Sequence, residues 1–102
     1  MLVVLTTTPG FAEGESLAEK IVEARLAACV QIVPQITSVY LWEGKLEKEN
    51  EQLLLIKTTD DKFAALEEFI AANHSYDVPE IVAIPASRVS QPYHEWLTSI
   101  LS

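Results

Sequence analysis

Few side chains in this chain can do chemistry, and none is spaced to do it with a near neighbour. The soft donors are one thiol, Cys29, and two imidazoles, His74 and His94, separated by 45 and 20 positions. No two of them have the short spacing with which a single helix or turn chelates a metal. No Ser, His and Asp arrangement suggests a nucleophilic triad, and one Cys with distant His residues is a weak basis for a Cys–His pair. Each donor also has a plain structural role. Cys29 sits among Ala27, Ala28 and Val30 at the start of a strand, where a small buried hydrophobe is the default. His74 follows a helix whose C-terminus attracts an imidazole, and His94 falls on the outer side of another helix, facing solvent.

The elements that must position these residues come in two copies. LVVLTT (Leu2 to Thr7) leads through a helical pattern to a strand ending at Ile32, Val33 and Pro34. LLLIKTT (Leu53 to Thr59) leads through a second helical pattern to EIVAIP, Glu80 to Pro85. From Thr7 to Pro34 is 27 positions and from Thr59 to Pro85 is 26. Two such β-α-β units in succession predict an α+β ferredoxin-like sandwich, βαββαβ. Leu17, Ile21, Ala24 and Ala28 mark the buried stripe of the first helix. The second opens after Asp60 and Asp61, which suit its N-terminus, and buries Phe63, Leu66, Phe69 and Ile70. A third helix, with Pro92 in its first turn and Tyr93, Trp96, Leu97, Ile100 and Leu101 on one side, is added to the basic fold.

The middle of the chain is unusual. Cys29 to Glu43 reads as one strand, longer than the usual five or six residues, and Pro34 requires a bend or bulge within it. Glu43, Gly44 and Lys45 supply a turn, and the chain returns from Leu46 to Thr59, polar from Glu47 to Gln52 and apolar afterwards. The result is a hairpin arm that overhangs its own sheet and carries Ile36, Val39, Tyr40, Leu41 and Trp42. Those side chains form the kind of apolar patch that marks an interface, so the arm is expected to pair with a neighbouring subunit.

Composition narrows the classes. The chain has 102 residues, 49% of them hydrophobic, which predicts one domain over residues 1–102. A net charge of −8 with seven scattered Lys and Arg argues against nucleic acid. The run Leu2 to Leu5 is too short for a membrane span or a signal-peptide core, and a single Cys cannot form an internal disulfide. These features predict a cytoplasmic protein with no membrane partner. Only three glycines occur, and none falls in a phosphate-binding GxxxxGK or GxGxxG pattern, so no organic cofactor is expected. Two other uses of the fold are also unsupported. The loop after the first strand, TTPGFAEG (Thr7 to Gly14), has no Arg to cradle a phosphate, and the central strands lack aromatics for stacking on RNA bases.

Three blocks carry a resemblance: CVQIVPQITSVYLWEGKLE from Cys29 to Glu47, EQLLLIKT from Glu51 to Thr58, and HSYDVPEIVAIP from His74 to Pro85. Their order and spacing, over almost the whole chain, closely resemble the CutA family of divalent-cation tolerance proteins. Gln31 departs from the family's usual Asn. His74, Ser75, Tyr76 and Asp77 stand where the family usually has His-Pro-Tyr-Glu, and the missing proline leaves that loop less rigid. The resemblance implies a homotrimer like that of the PII signalling proteins, non-enzymatic and binding copper or another divalent metal ion. The ligands expected here are Cys29, His74 and Glu80, with Asp77 and Tyr76 as further oxygen donors, assembled by the fold or between subunits. A thiolate and an imidazole suit copper or zinc better than magnesium or calcium. The alternative is a PII-like signalling or adaptor trimer that holds a small anionic ligand or a protein partner in intersubunit clefts. Lys57 motivates it, because a lone Lys in an apolar strand must reach solvent, an acid such as Glu80, or a ligand. Tyr40, Trp42, Glu43, Tyr76, Glu80 and Tyr93 are the other residues expected to line such a cleft.

Overall fold

Strand alternation decides which side chains enter the core. In the computed structural model, which describes all 102 residues, β1 (Leu2–Thr8), β2 (Cys29–Trp42), β3 (Lys45–Thr58) and β4 (Val82–Pro85) form one antiparallel sheet in the order β2-β3-β1-β4. The helices α1 (Phe11–Glu23) and α2 (Phe63–Asn73) complete the expected βαββαβ order, and α3 (Gln91–Leu101) follows. Leu2 and Val4 of β1 pair with Thr58 and Ile56 of β3, and these side chains pack with Leu17, Ile21, Leu66 and Ile70 of the two helices. By the two-residue period of a strand, Val3, Leu5, Leu53, Leu55 and Lys57 point to the other face.

That second face is only partly covered. Leu97 and Leu101 of α3 close with Ala28, Met1 and Tyr93 over one end of it. Beyond α3, Val33, Val82 and Ile84 are each more than 40% exposed. The third helix is thus a lid on its inner side, while Trp96 remains exposed on its outer side.

The first helix stops sooner than its apolar stripe predicts. The N–H of Arg25 bonds to Val22 O and that of Leu26 to Ile21 O, the paired bonds of a Schellman termination, with Arg25 in the left-handed position at φ 57°. Ala24 is therefore exposed at the helix end, and Ala28 belongs under α3 instead. The second helix also begins differently. Asp60–Lys62 form a short 3₁₀ turn, and no side chain caps α2. Asp61 instead accepts a 2.6 Å bond from the Thr59 hydroxyl, which holds its carboxyl below the ordinary range.

The long hairpin is present, with the bulge required by Pro34. Strands β2 and β3 have 14 residues each, and their register shifts between Val33 and Ile36, where Gln35 takes φ 59°. The bulge frees a backbone donor, and Gln52 accepts it: Gln35 N–H to Gln52 Oε1 is 3.1 Å. Glu51 and Gln52 are consequently buried, although the polar run from Glu47 to Gln52 gave no sign of it. Glu43 and Gly44, both at positive φ, make the two-residue turn whose twist matches a hairpin. The arm stretches the protomer to 45 Å in its longest dimension, against 25 and 22 Å in the others.

Gly14 shows how tightly α1 meets the sheet. A Cβ there would lie 2.7 Å from Thr8 Oγ1 and 3.3 Å from Leu54 Cδ1, and that hydroxyl is already held by its bond to Gly10 O. Alanine gains roughly 1 kcal/mol of helix propensity, but overpacking costs about 1–3 kcal/mol and the displaced hydrogen bond about 1 more. Gly14→Ala should therefore lower stability by about 1–3 kcal/mol in denaturant titrations at fixed protein concentration. An unchanged or raised midpoint would contradict this account of the contact.

Candidate functional site

The bulge places a cleft on the less covered face, at the root of the arm. After the register shift, Ser38 lies opposite Glu49, Tyr40 opposite Glu47 and Trp42 opposite Lys45, so two aromatic rings of β2 share a face with the acids of β3. The segment from Ser75 to Glu80, between α2 and β4, forms the facing wall. Together they enclose a cavity of about 830 Å³, open on one side. Its walls carry the rings of Tyr40, Trp42 and Tyr76 and the carboxylates of Glu47, Glu49, Glu51, Asp77 and Glu80, with no Lys, Arg or His among them.

Within the cleft, Glu51 is 5% exposed, and its Oε2 accepts a 2.7 Å bond from the Tyr76 hydroxyl. Burial, and then that carboxylate, push the Tyr76 phenol well above its ordinary pKa. Tyr40 is raised in the same direction, first by loss of water and then by Glu49, Glu51 and Glu47. No cation lies within ion-pair distance of any of the five acids.

His74 fixes the wall. Its fully buried ring donates from Nε2 to the Thr7 carbonyl at 2.6 Å and accepts the Tyr76 N–H on Nδ1 at 3.0 Å. Glu13 completes the clamp, accepting the Ser75 N–H at 3.3 Å and its hydroxyl at 2.9 Å. With both ring nitrogens engaged, His74 presents no free lone pair to a metal.

The soft donor lies elsewhere. Cys29 is half-buried opposite Lys57, under α3, where burial and then the thiol raise the Tyr93 phenol pKa. The Lys57 ammonium donates to Gln31 Oε1 at 2.9 Å and lies 5.9 Å from the centre of the Tyr93 ring. Glu80 is thus not its partner.

The expected metal site of Cys29, His74 and Glu80 is therefore not assembled within one protomer. No three His, Cys, Asp or Glu side chains converge on a point that could hold an ion. In sheet register, Cys29 aligns with Lys57 and Val3, whereas His74 meets Thr7, four residues further along β1 and about 13 Å away on a strand. The expected ligand cleft also divides. Tyr40, Trp42, Tyr76 and Glu80 line the cavity; Lys57 and Tyr93 stand with Cys29 at the opposite end; Glu43 lies in the turn at the arm's tip. Without Lys57 the cavity is acidic, the opposite of what an anionic ligand needs. His94 is exposed, as its helical position predicted.

The comparisons with known proteins agree with this architecture. A family model described as CutA1 divalent ion tolerance protein matches residues 2–99. The chain belongs to the CutA1 family. It is 50% identical to the chloroplastic protein CutA of Arabidopsis thaliana over 96 residues, 94% of this chain and 53% of that one. It is 47% identical to the divalent-cation tolerance protein CutA of Thermus thermophilus, covering 93% and 92% of the two chains. This CutA1-family chain thus spans about half the length of its plant relatives and nearly all of the Thermus one. Among solved structures, CutA1 from Oryza sativa superposes with a TM-score of 0.96 at 46% identity, over 99% and 93% of the chains. The periplasmic divalent cation tolerance protein CutA from Archaeoglobus fulgidus also gives 0.96, at 37% identity over the full length of both. No helix of this chain is long and apolar enough to cross a membrane.

The acids that sequence reading missed, Glu47, Glu49 and Glu51, were detectable. Residues at i, i+2 and i+4 of a strand share a face. What hid them was treating the segment as generally polar.

Tyr76→Phe tests the buried contact. It removes the one donor to a buried carboxylate, so stability at neutral pH should fall by about 2 kcal/mol. A phenol whose folded pKa is raised contributes fully below its unfolded pKa of about 10 and loses that contribution as pH rises above it. Denaturant titrations from pH 7 to 11 should therefore show the parent losing stability above about pH 10 and the variant, lacking the group, losing less. Parallel pH profiles would rule the contact out as a contributor.

Proposed function

We propose that this protein acts in divalent-cation tolerance as a non-enzymatic homotrimer, binding copper or another divalent ion at sites completed between subunits. The observation that supports this reading is the uncovered sheet face, which carries exposed Val33, Val82 and Ile84 and, at its α3 end, Cys29. Val39, Leu41 and Leu46 on the arm are each more than half exposed as well, on the ribbon's other face, and add apolar surface for a neighbouring copy. Closing a second and a third copy over this face buries that surface. It also brings donors of different subunits together, as no single protomer does. The number three follows the family resemblance. In this reading Cys29 supplies the soft ligand and Glu80 an oxygen donor, and a cytoplasmic, reducing setting keeps the thiol free. His74 contributes by holding the Ser75 to Glu80 wall.

A signalling or adaptor role is the second reading, favoured by the open cleft beneath the arm. Its lining indicates a cationic ligand rather than an anionic one.

Assembly and metal binding are tested separately. Because the interface is part of the folded state, the thermal midpoint should rise with protein concentration, and sedimentation should give a trimer. A folded monomer at nanomolar concentration with an unchanged midpoint would end the assembly reading. Calorimetric titration of the metal-free protein with copper should give a dissociation constant of about micromolar or tighter, weakened about tenfold or more by Cys29→Ala. Binding indifferent to that change would remove Cys29 from the site, and no binding would end the metal reading. His74→Ala should lower the midpoint, since it breaks the clamp on Thr7 and Tyr76.

A further inference from the structure

The cleft's acids are arranged for a ligand that a metal ion does not resemble. A hard divalent cation gathers six or more oxygens around one point at about 2.0–2.6 Å. Here Glu47, Glu49 and Glu51 occupy alternate positions of one strand, so their stems stand about 6.6 Å apart in a row. No three of the acids converge. Across from the row, Tyr40 sits directly opposite Glu47, and Trp42, two residues further out on the same strand, lines the cleft beyond the row's outer end, where its own partner is Lys45. The facing wall adds Tyr76 and Asp77.

The inner end of the row is the telling point. Glu51 is almost fully buried, yet its only bonded partner is the neutral Tyr76 hydroxyl on Oε2; its Oε1 has no donor, and no cation lies within 4 Å. That oxygen faces the open cleft, where an entering cation is its first counter-charge.

We infer that the cleft binds a linear polyamine, an extended chain with two or more ammonium groups. Three or four methylenes separate such groups by roughly 5–6 Å at ordinary bond lengths, close to the carboxylate repeat. Each ammonium meets a carboxylate, and the methylenes and remaining charge lie against aromatic faces, which attract cations. The innermost ammonium reaches the free oxygen of Glu51. This inference names the ligand class for the adaptor reading and requires the cleft to stay open in the assembled protein; it does not depend on copper binding.

The probe is spermidine, titrated calorimetrically at fixed ionic strength into protein whose assembly has been verified by sedimentation, so that a failure to trimerise is read separately. Saturable binding is expected, weakened about tenfold or more by Glu47→Gln/Glu49→Gln together. Tyr40→Ala should also weaken it, by about threefold or more. The control Glu67→Gln/Glu68→Gln removes the same charge from α2, on the other layer of the sandwich, and should change affinity less than about twofold. Magnesium at matched ionic strength should not displace spermidine. Equal weakening by both pairs, or displacement by magnesium, would reduce the effect to diffuse attraction and overturn the inference. Absence of binding would overturn it as well. If the cleft substitutions then lower trimer stability, a basic side chain of a neighbouring copy occupies the cleft instead.

Discussion

The structure depends on one constraint: both helices of the repeated β-α-β unit pack on the same side of a four-stranded sheet. Alternation along each strand then divides its residues into two sets. Val4, Leu54 and Ile56 enter the core, while Val3, Leu55, Cys29 and Lys57 are sent to a face that α3 covers only at one end. The exposed valines and isoleucine on that face and the location of the only thiol follow from this arrangement. So does the free-energy cost of that face, which grows with the apolar area left in water.

The bulge at Pro34 and Gln35 turns a long hairpin into a site. A straight ladder would have kept β2 and β3 in one register to the tip. The one extra residue instead shifts the pairing, so that Ile36 rather than Gln35 meets Glu51 and Tyr40 meets Glu47. The freed Gln35 N–H requires an acceptor, which buries Gln52, and its neighbour Glu51 is carried to the floor of the cleft. One backbone irregularity thereby fixes both the direction of the arm and the position of the buried carboxylate.

His74 does comparable work on the other wall. Its two bonds tie the end of α2 to the last turn of β1 and to the Tyr76 backbone, and so aim the Tyr76 hydroxyl at Glu51. Ser75 secures the same wall by its bonds to Glu13. One of the two comes from a backbone N–H, a donor that a proline at this position would lack.

Much of this was legible in the residues. The two β-α-β patterns specify the fold because hydrophobic period alone separates strand from helix. Pro34 predicted the bulge because it cannot donate to a ladder, and Glu43–Gly44 predicted the turn because the hairpin requires positive φ. The ends of α1 and α2 were less legible, since they were decided by a Schellman pair at Arg25 and a hydroxyl at Thr59 rather than by the apolar stripe. The grouping of the site was not legible at all. Sequence separation does not reveal that Lys57 and Tyr93 stand with Cys29 while Tyr40 and Tyr76 stand with Glu51, because that grouping is set by strand register and by which face α3 covers. The elements, their order and the overhanging arm follow from local pattern alone. The acidity of the cleft and the occupied ring of His74 emerge only on folding, because both depend on contacts between segments as distant as Thr7 and His74.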